Sequence, residues 1–387
     1  MAIGCMNRLE SISIKGFRRL QHVDLEMRNL TVMIGANGAG KTSFLDALSI
    51  LSASGNGKFQ ETLQLKGGLN EILTRGKEQE LSLTVSMKVP DQQPLKYILT
   101  VLPKGLSYEI RKEALTQQSS PNALEPFKYI ESYGLDIKYF SQEERKLLKP
   151  DWEHNYLETS LSQVPKMYRE PEKFRKNLAS CTYYGALDVS EKSPVRLPQS
   201  VRPAKLPGVN GENLVSCLYD LRETDGDRFE MLEDVLSSAF PDFQRLNFPP
   251  VAAGTISMTW KDKNFAEPMY LHELSEGTLR FLWLATLLQS KSLTTITLID
   301  EPEVSLHPDL LRHLVYLMRE ASKNTQLIVA THSDRLIRFL EPHEVLICDL
   351  EAGAATMTWA DTLDLDKWLT DYSLDQVWAM NLIGGRP

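Results

Sequence analysis

The sequence predicts an α/β fold in which one nucleotide-binding head is assembled from both ends of the chain. Three observations carry that prediction. A continuous apolar strand, residues 30–34, runs straight into the glycine loop Gly35-Ala-Asn-Gly-Ala-Gly-Lys-Thr42 and then into a helix over 41–51. A second apolar strand, 296–299, ends in the paired acids Asp300-Glu301. From residue 271 to 349 the pattern alternates helix and strand, which calls for a largely parallel sheet with helices around it.

The elements follow in order. Residues 9–15 alternate at period two and read as a strand, with 23–27 as its partner. Strands are expected at 80–89 and 95–102, with a weaker one at 106–111. From 117 to 171 the pattern turns polar and reads as helical. Prolines 194, 198, 203 and 207 mark an irregular connection, followed by amphipathic helices at 213–221 and 228–239 and a strand at 254–260. The expected organisation is an N-terminal half of the head over 1–116 and a mainly helical middle insertion over 117–250. The C-terminal half of the head covers 251–350, and a tail over 351–387 packs on it. No internal repeat, long heptad run or low-complexity segment interrupts this plan.

Bulk properties narrow the function classes. The 387 residues, 42% hydrophobic, suffice for one large domain or two ordinary ones. With 43 basic against 51 acidic residues the net charge is −8, which argues against a constitutively basic nucleic-acid coat but leaves room for a local basic patch. The four cysteines, Cys5, Cys181, Cys217 and Cys348, show no metal or redox spacing, as expected of reduced cytosolic thiols. The best apolar run, 281–288, is far shorter than the roughly 20 residues a membrane span needs. A cytoplasmic location without a membrane partner is expected.

The chemistry sits in motifs far apart in sequence. In the phosphate loop, Gly35, Asn37, Gly38 and Gly40 let successive backbone N–H groups face phosphate oxygens, and the following helix offers its positive end. Lys41 would reach the β- and γ-phosphates. The Thr42 hydroxyl would ligate Mg²⁺, and Ser43 continues the loop into the helix. Asp300 would hold the Mg²⁺ shell, and Glu301 would polarise an attacking water as general base. Leu274-Ser-Glu-Gly277 opens a helix, so that Ser275 and the Gly277 region present a hydroxyl and backbone N–H groups. His332 follows the strand 326–330 and would contact the γ-phosphate and the water. Ser305-Leu-His-Pro308 forms a loop in which His307 reads equally as a turn former or a contact.

These residues, in this order, resemble the ABC-type ATPases of the SMC/RecF/OLD group, and in particular its stand-alone predicted AAA-family ATPases related to RecF. Lys15-Gly-Phe-Arg18 matches the group's opening strand and turn. The run Leu274-Ser-Glu-Gly-Thr-Leu-Arg280 matches its signature, and Asp300-Glu-Pro-Glu-Val-Ser-Leu-His-Pro308 its Walker B and D-loop. The resemblance implies ATP and Mg²⁺ as cofactors. It also implies a head-to-head homodimer in which Ser275 and Gly277 of one chain face the γ-phosphate held by the other, and a nucleotide contact from Arg18. Two departures stand out. The signature reads Ser-Glu-Gly where transporters have Ser-Gly-Gly. No glutamine among Gln60, Gln64 and Gln79 has a decisive context for the Q-loop.

Two readings of the output remain open on the sequence. One is an ATPase coupled to DNA in repair or phage defence, for which residues 166–205 supply nine basic side chains against four acidic ones. The other is a nucleotide switch that holds or releases a separately encoded protein effector, a nuclease or toxin. A transporter motor subunit is disfavoured by the size of the insertion. The chain after His332 is too short for a TOPRIM nuclease, so no nuclease activity of its own is expected. Asp361, Asp364 and Asp366 read as the capped start of a helix.

Overall fold

The computed structural model of the chain describes residues 8–76, 78–120 and 123–385. From the N-terminus, β1 (Leu9–Phe17), β2 (Leu20–Glu26) and β3 (Leu30–Gly35) precede helix α1 (Lys41–Asn56). Strands β4 (Leu81–Met87), β5 (Leu95–Lys104), β6 (Ser107–Gln117), β7 (Phe127–Tyr133), β8 (Asp136–Ser141) and β9 (Lys146–Leu148) come next. Then follow α2 (Arg169–Ala179), β10 (Cys181–Tyr184), α3 (Leu214–Thr224) and α4 (Gly226–Ala239). The C-terminal half holds α5 (Glu276–Leu288), β11 (Ile296–Asp300), α6 (Pro308–Ser322), β12 (Gln326–Ala330), β13 (Val345–Glu351) and β14 (Ala354–Trp359). Shorter segments fill the joins.

Two large sheets sandwich α1. The central sheet has the order β10-β11-β12-β3-β13-β14, parallel throughout except for the antiparallel edge pair β13–β14. All six residues of β3 are buried, as a strand covered on both faces requires. The second sheet is antiparallel, in the order β2-β1-β4-β5-β6-β7-β8-β9. Its strands alternate: Leu81, Leu83, Val85 and Met87 of β4 point inward while the residues between them are half-exposed. Helix α1 is buried along most of its length because it packs between the sheets and against α2. A Cβ on Gly55 of α1 would stand 3.0 Å from the Arg175 carbonyl of α2, so the glycine permits that close helix contact.

The stretch 117–171 corrects the expectation. It was read as helical from its polarity, but β6 continues to Gln117 and β7, β8 and β9 extend the antiparallel sheet. The physical reason lies in Phe127-Lys-Tyr-Ile-Glu-Ser-Tyr133, rich in aromatic and β-branched residues. Ile130, Ile137 and Tyr139 are buried, while the opposite face is solvated and therefore polar. Residues 149–168 pass over the sheet without regular structure. They are pinned by the buried Glu113 carboxylate, which accepts the Ser160 and Leu161 N–H groups and the Tyr97 hydroxyl. Helical character begins at α2 and holds for α3 and α4. The expected strand at 254–260 splits into Thr255–Ile256 and Thr259–Asp262, which belong to two three-stranded sheets. Among the described residues, no helix is long and apolar enough to cross a membrane.

Candidate nucleotide site

The carboxyl ends of β3, β11 and β12 lie side by side, the position where open parallel sheets bind ligands. The loop after β3 is shaped by glycine. Gly35 has φ 152°, and a Cβ there would fall 2.1 Å from the Cys348 carbonyl of β13, so no other residue fits. Asn37 and Gly38 are exposed on the loop, Gly40 caps α1, and Thr42 and Ser43 open its first turn with Thr42 exposed.

Lys41 is only 4% exposed. Its Nζ donates to the Gly35 carbonyl at 2.6 Å and the Ala36 carbonyl at 3.1 Å, and lies 3.3 Å from His332 Nδ1. Burial pulls its pKa down. The surrounding Cys348, Asp300, Glu301 and Glu303 oppose that shift. Asp300, at the end of β11, accepts the Tyr183 hydroxyl at 2.9 Å. Burial pushes the Asp300 pKa up, partly offset by that hydrogen bond.

Glu301 leaves the strand in the left-handed region, φ 51°, which costs a non-glycine residue about 1–3 kcal/mol. Its N–H is held by the Ala330 carbonyl at 2.8 Å. Its side chain remains 44% exposed, with Oε1 3.8 Å from His332 Nε2. His332 is thus poised between Lys41 and Glu301. Burial, followed by the Lys41 charge, lowers its pKa below the ordinary 6.5, which favours the neutral ring.

Three residues that the sequence left without roles join this cluster. Glu303 accepts the Thr331 hydroxyl at 2.5 Å and the His332 N–H at 3.1 Å, tying the turn after β11 to the turn after β12. Its other oxygen is buried without a partner, and burial raises its pKa. Tyr183 reaches Asp300 from β10, whereas the Gln60 N–H is held by Glu158. The third is Arg19. Arg18, φ 48°, turns its guanidinium to Asp46 of α1 at 2.6 Å, and Lys66 pairs with the same carboxylate. The nucleotide contact expected of Arg18 would have to come from a side chain already paired with α1. Arg19 points toward the loop instead: a Cβ on Gly38 would lie 3.8 Å from its guanidinium carbon. A Lys-Gly-Phe-Arg-Arg run cannot tell a sequence reader which arginine faces the loop.

Ser275 caps α5, its hydroxyl accepting the Thr278 N–H at 3.1 Å, and it is exposed. Gly277 is pressed against the turn after β11: a Cβ there would lie 2.6 Å from the Ser305 carbonyl. Ser305 itself has φ 61°, and its hydroxyl reaches Glu276 at 3.5 Å, so Glu276 faces this turn. His307 caps α6 ahead of Pro308, the turn-forming alternative. Asp361 pairs with Arg28 rather than capping a helix.

Thr42, at the start of α1, and Asp300, at the end of β11, would offer only oxygen donors, which suit a hard cation. Among the described residues no group of three or more His, Cys, Asp or Glu could hold a metal. A cation here would take its remaining ligands from phosphate and water, which fits Mg²⁺.

Strand β12 inserted between the phosphate-loop strand and the Asp300 strand, an antiparallel sheet on α1 and a serine-capped α5 together make an ABC-type P-loop ATPase head. Residues 30–338 match the family described as "AAA domain, putative AbiEii toxin, Type IV TA system". The chain belongs to this family, and its fold is that of an ABC-type ATPase head. It is 26% identical over 134 residues to the DNA replication and repair protein RecF of Nitrosococcus oceani, spanning 33% of this chain and about a third of that relative. In fold it resembles an Smc head bound to the C-winged helix domain of ScpA. There the TM-score is 0.57 and the identity 13%, covering 91% of this chain and 97% of the other. It also resembles an Smc head with an extended coiled coil bound to the C-terminal domain of ScpA, from Pyrococcus furiosus. In that case the TM-score is 0.54 and the identity 12%, covering 94% and 98%.

Proposed function

We propose that ATP joins two copies of this chain head to head, and that hydrolysis separates them. The observation that carries this reading is the division of the site within one chain. Lys41, Asp300, Glu301 and His332 form one cluster. Ser275 is exposed, and its hydroxyl bonds to Thr278 of its own helix turn. A second copy would bring its Ser275 and the positive end of its α5 to the γ-phosphate.

In this reading Lys41 and the loop N–H groups bind the phosphates. Glu301, exposed and beside His332, orients a water and takes its proton, while neutral His332 donates to the γ-phosphate. Thr42 and Asp300 would hold Mg²⁺, which would supply charge stabilisation to the phosphates. Gly277 and Glu276 tie the signature to the turn bearing Ser305, so both segments meet the partner together.

The output we infer is coupling to DNA. The basic run 166–205 supports this less than its composition suggests. Lys173, Arg175 and Lys176 pair with Glu170 or Glu172, and Arg196 is bound to backbone carbonyls. The outer face of the antiparallel sheet offers more. Lys15 and Lys112 flank Ser82 and Thr100 across β1, β4, β5 and β6, and Lys96 adjoins Ser86 and Thr116. Lys15 and Lys96 are exposed there, and lysines on a solvated sheet face suit phosphate contacts. The RecF relative, a replication and repair protein, adds weight. An effector-gating switch is the second reading, favoured by the toxin–antitoxin description of the family.

The test is steady-state ATP hydrolysis at rising protein concentration, with and without linear double-stranded DNA. Specific activity that rises with concentration and is stimulated by DNA is expected. Activity independent of concentration would remove the dimer. Activity rising with concentration yet indifferent to DNA would transfer the role to a protein effector.

A further inference from the structure

The signature segment is held from behind by one arginine that no motif includes. Arg196 ends the short turn Pro194–Arg196, between β10 and α3. Its Nε donates to the Val189 carbonyl at 2.7 Å. Its Nη1 lies 3.3, 3.1 and 3.0 Å from the carbonyls of Leu271, His272 and Leu274. All four acceptors are main-chain carbonyls, and the three that face Nη1 lie in the segment leading into Ser275.

Those carbonyls belong to the single 3-10 turn Leu271–Glu273 and to the residue just before Ser275. Within the turn the Leu271 carbonyl accepts the Leu274 N–H at 3.3 Å; the guanidinium adds a charged partner there and serves the His272 and Leu274 carbonyls at the end of the turn. The arginine is itself fixed. Val195 is fully buried, and Gln199 donates to the Pro194 carbonyl at 3.2 Å while accepting the Val215 N–H at 2.9 Å. A rigid guanidinium fork therefore sets the path of the chain into the cap of α5.

We propose that Arg196 is a positioning residue for Ser275: it acts through the 271–274 carbonyls to hold the signature hydroxyl where the nucleotide of a second copy meets it. This deepens the head-to-head reading and rests on it. It predicts a division of effects. Arg196 touches neither the phosphate loop nor the Asp300–Glu301 pair, so one head should bind nucleotide normally without it. Steps that need the signature should fail.

The experiment uses the full chain with ATP and Mg²⁺. Nucleotide affinity, ATP-dependent mass and kcat are compared for the wild type, Arg196→Ala, Arg196→Lys, Ser275→Ala and Arg196→Lys with Ser275→Ala. Expected are unchanged nucleotide affinity in the Arg196 variants, kcat lower by about tenfold or more in Arg196→Ala, and loss of its ATP-dependent dimer. Millimolar guanidinium should restore part of that loss. Arg196→Lys should add little once Ser275 is already alanine, because both act through one group. Wild-type dimerisation and turnover in Arg196→Ala would overturn the inference, as would full additivity with Ser275→Ala, which marks a general structural role. If Arg196→Ala does not fold, the lysine cycle decides alone. A wild-type chain that stays monomeric in ATP overturns the dimer reading and this inference together, whereas a dimerising wild type with indifferent Arg196 variants overturns only the latter.

Discussion

At the residue scale, Glu301 and Asp300 are neighbours with different environments. Glu301 is half-exposed beside His332, whereas Asp300 is drawn inward and held by Tyr183. Replacing Glu301 by glutamine should lower kcat by about 10²–10⁴-fold, the contribution of a general base, while nucleotide binding persists. Single-turnover hydrolysis alongside equilibrium binding checks the split. Tyr183→Phe removes one hydrogen bond to Asp300 and should alter the Mg²⁺ concentration needed for half-maximal rate by several-fold, with ATP affinity in excess Mg²⁺ little changed. His332 is held below its ordinary 6.5 by burial and Lys41. The acid-side loss of turnover should therefore lie below pH 6.5. The sign for stability is the same. The unfolded chain takes the His332 proton first, so this contribution is complete above about 6.5 and is lost as pH falls through the lower folded value. A pH–rate profile beside a pH–melting series tests both. The phosphate loop and the acid pair were readable because their chemistry demands residue types at fixed spacing. Glu303, Tyr183 and Arg19 were not, because each acts through a contact between segments distant in sequence.

Elements carry the next level. The tight fit between Gly277 of α5 and Ser305 makes the signature and the turn after β11 one unit. Gly277→Ala should push the Ser305 carbonyl aside, since a 2.6 Å approach is far inside van der Waals contact. The outcome expected is a folded head with near-normal nucleotide affinity and turnover reduced about tenfold or more, read from kcat and affinity side by side. Strands β3, β11 and β12 and helices α1, α3, α4 and α5 followed from periodicity, because each has a strong apolar face or run. Strands β7–β9 did not. Their exposed face makes the composition polar, which resembles a solvated helix even though Phe127 to Tyr133 is rich in aromatic residues and lacks strict alternation. Register and sheet membership came from pairings such as Tyr183 with Leu298, which no local pattern encodes.

At the scale of the whole molecule, the central sheet explains why the motifs lie so far apart. Residue 35 and residues 300–332 meet because β3 is flanked by β12 and β13, strands from the far end of the chain. The middle segment is woven into that plan: β10 edges the central sheet and delivers Tyr183 to Asp300, and the turn after it carries Arg196. The head assembled from both ends was legible from the order of motifs. That weaving was not, since nothing in a four-residue strand announces its neighbour. Lys41, Asp300, Glu301 and His332 gather in one cluster while Ser275 stands exposed at the cap of α5, and this is the basis of the proposed composite site between two copies. The most direct measurement is the solution mass of Glu301→Gln by light scattering, with and without ATP and Mg²⁺. A mass that doubles with ATP, and stays single when Ser275→Arg is added, is predicted. A mass that remains that of one chain in saturating ATP would contradict it.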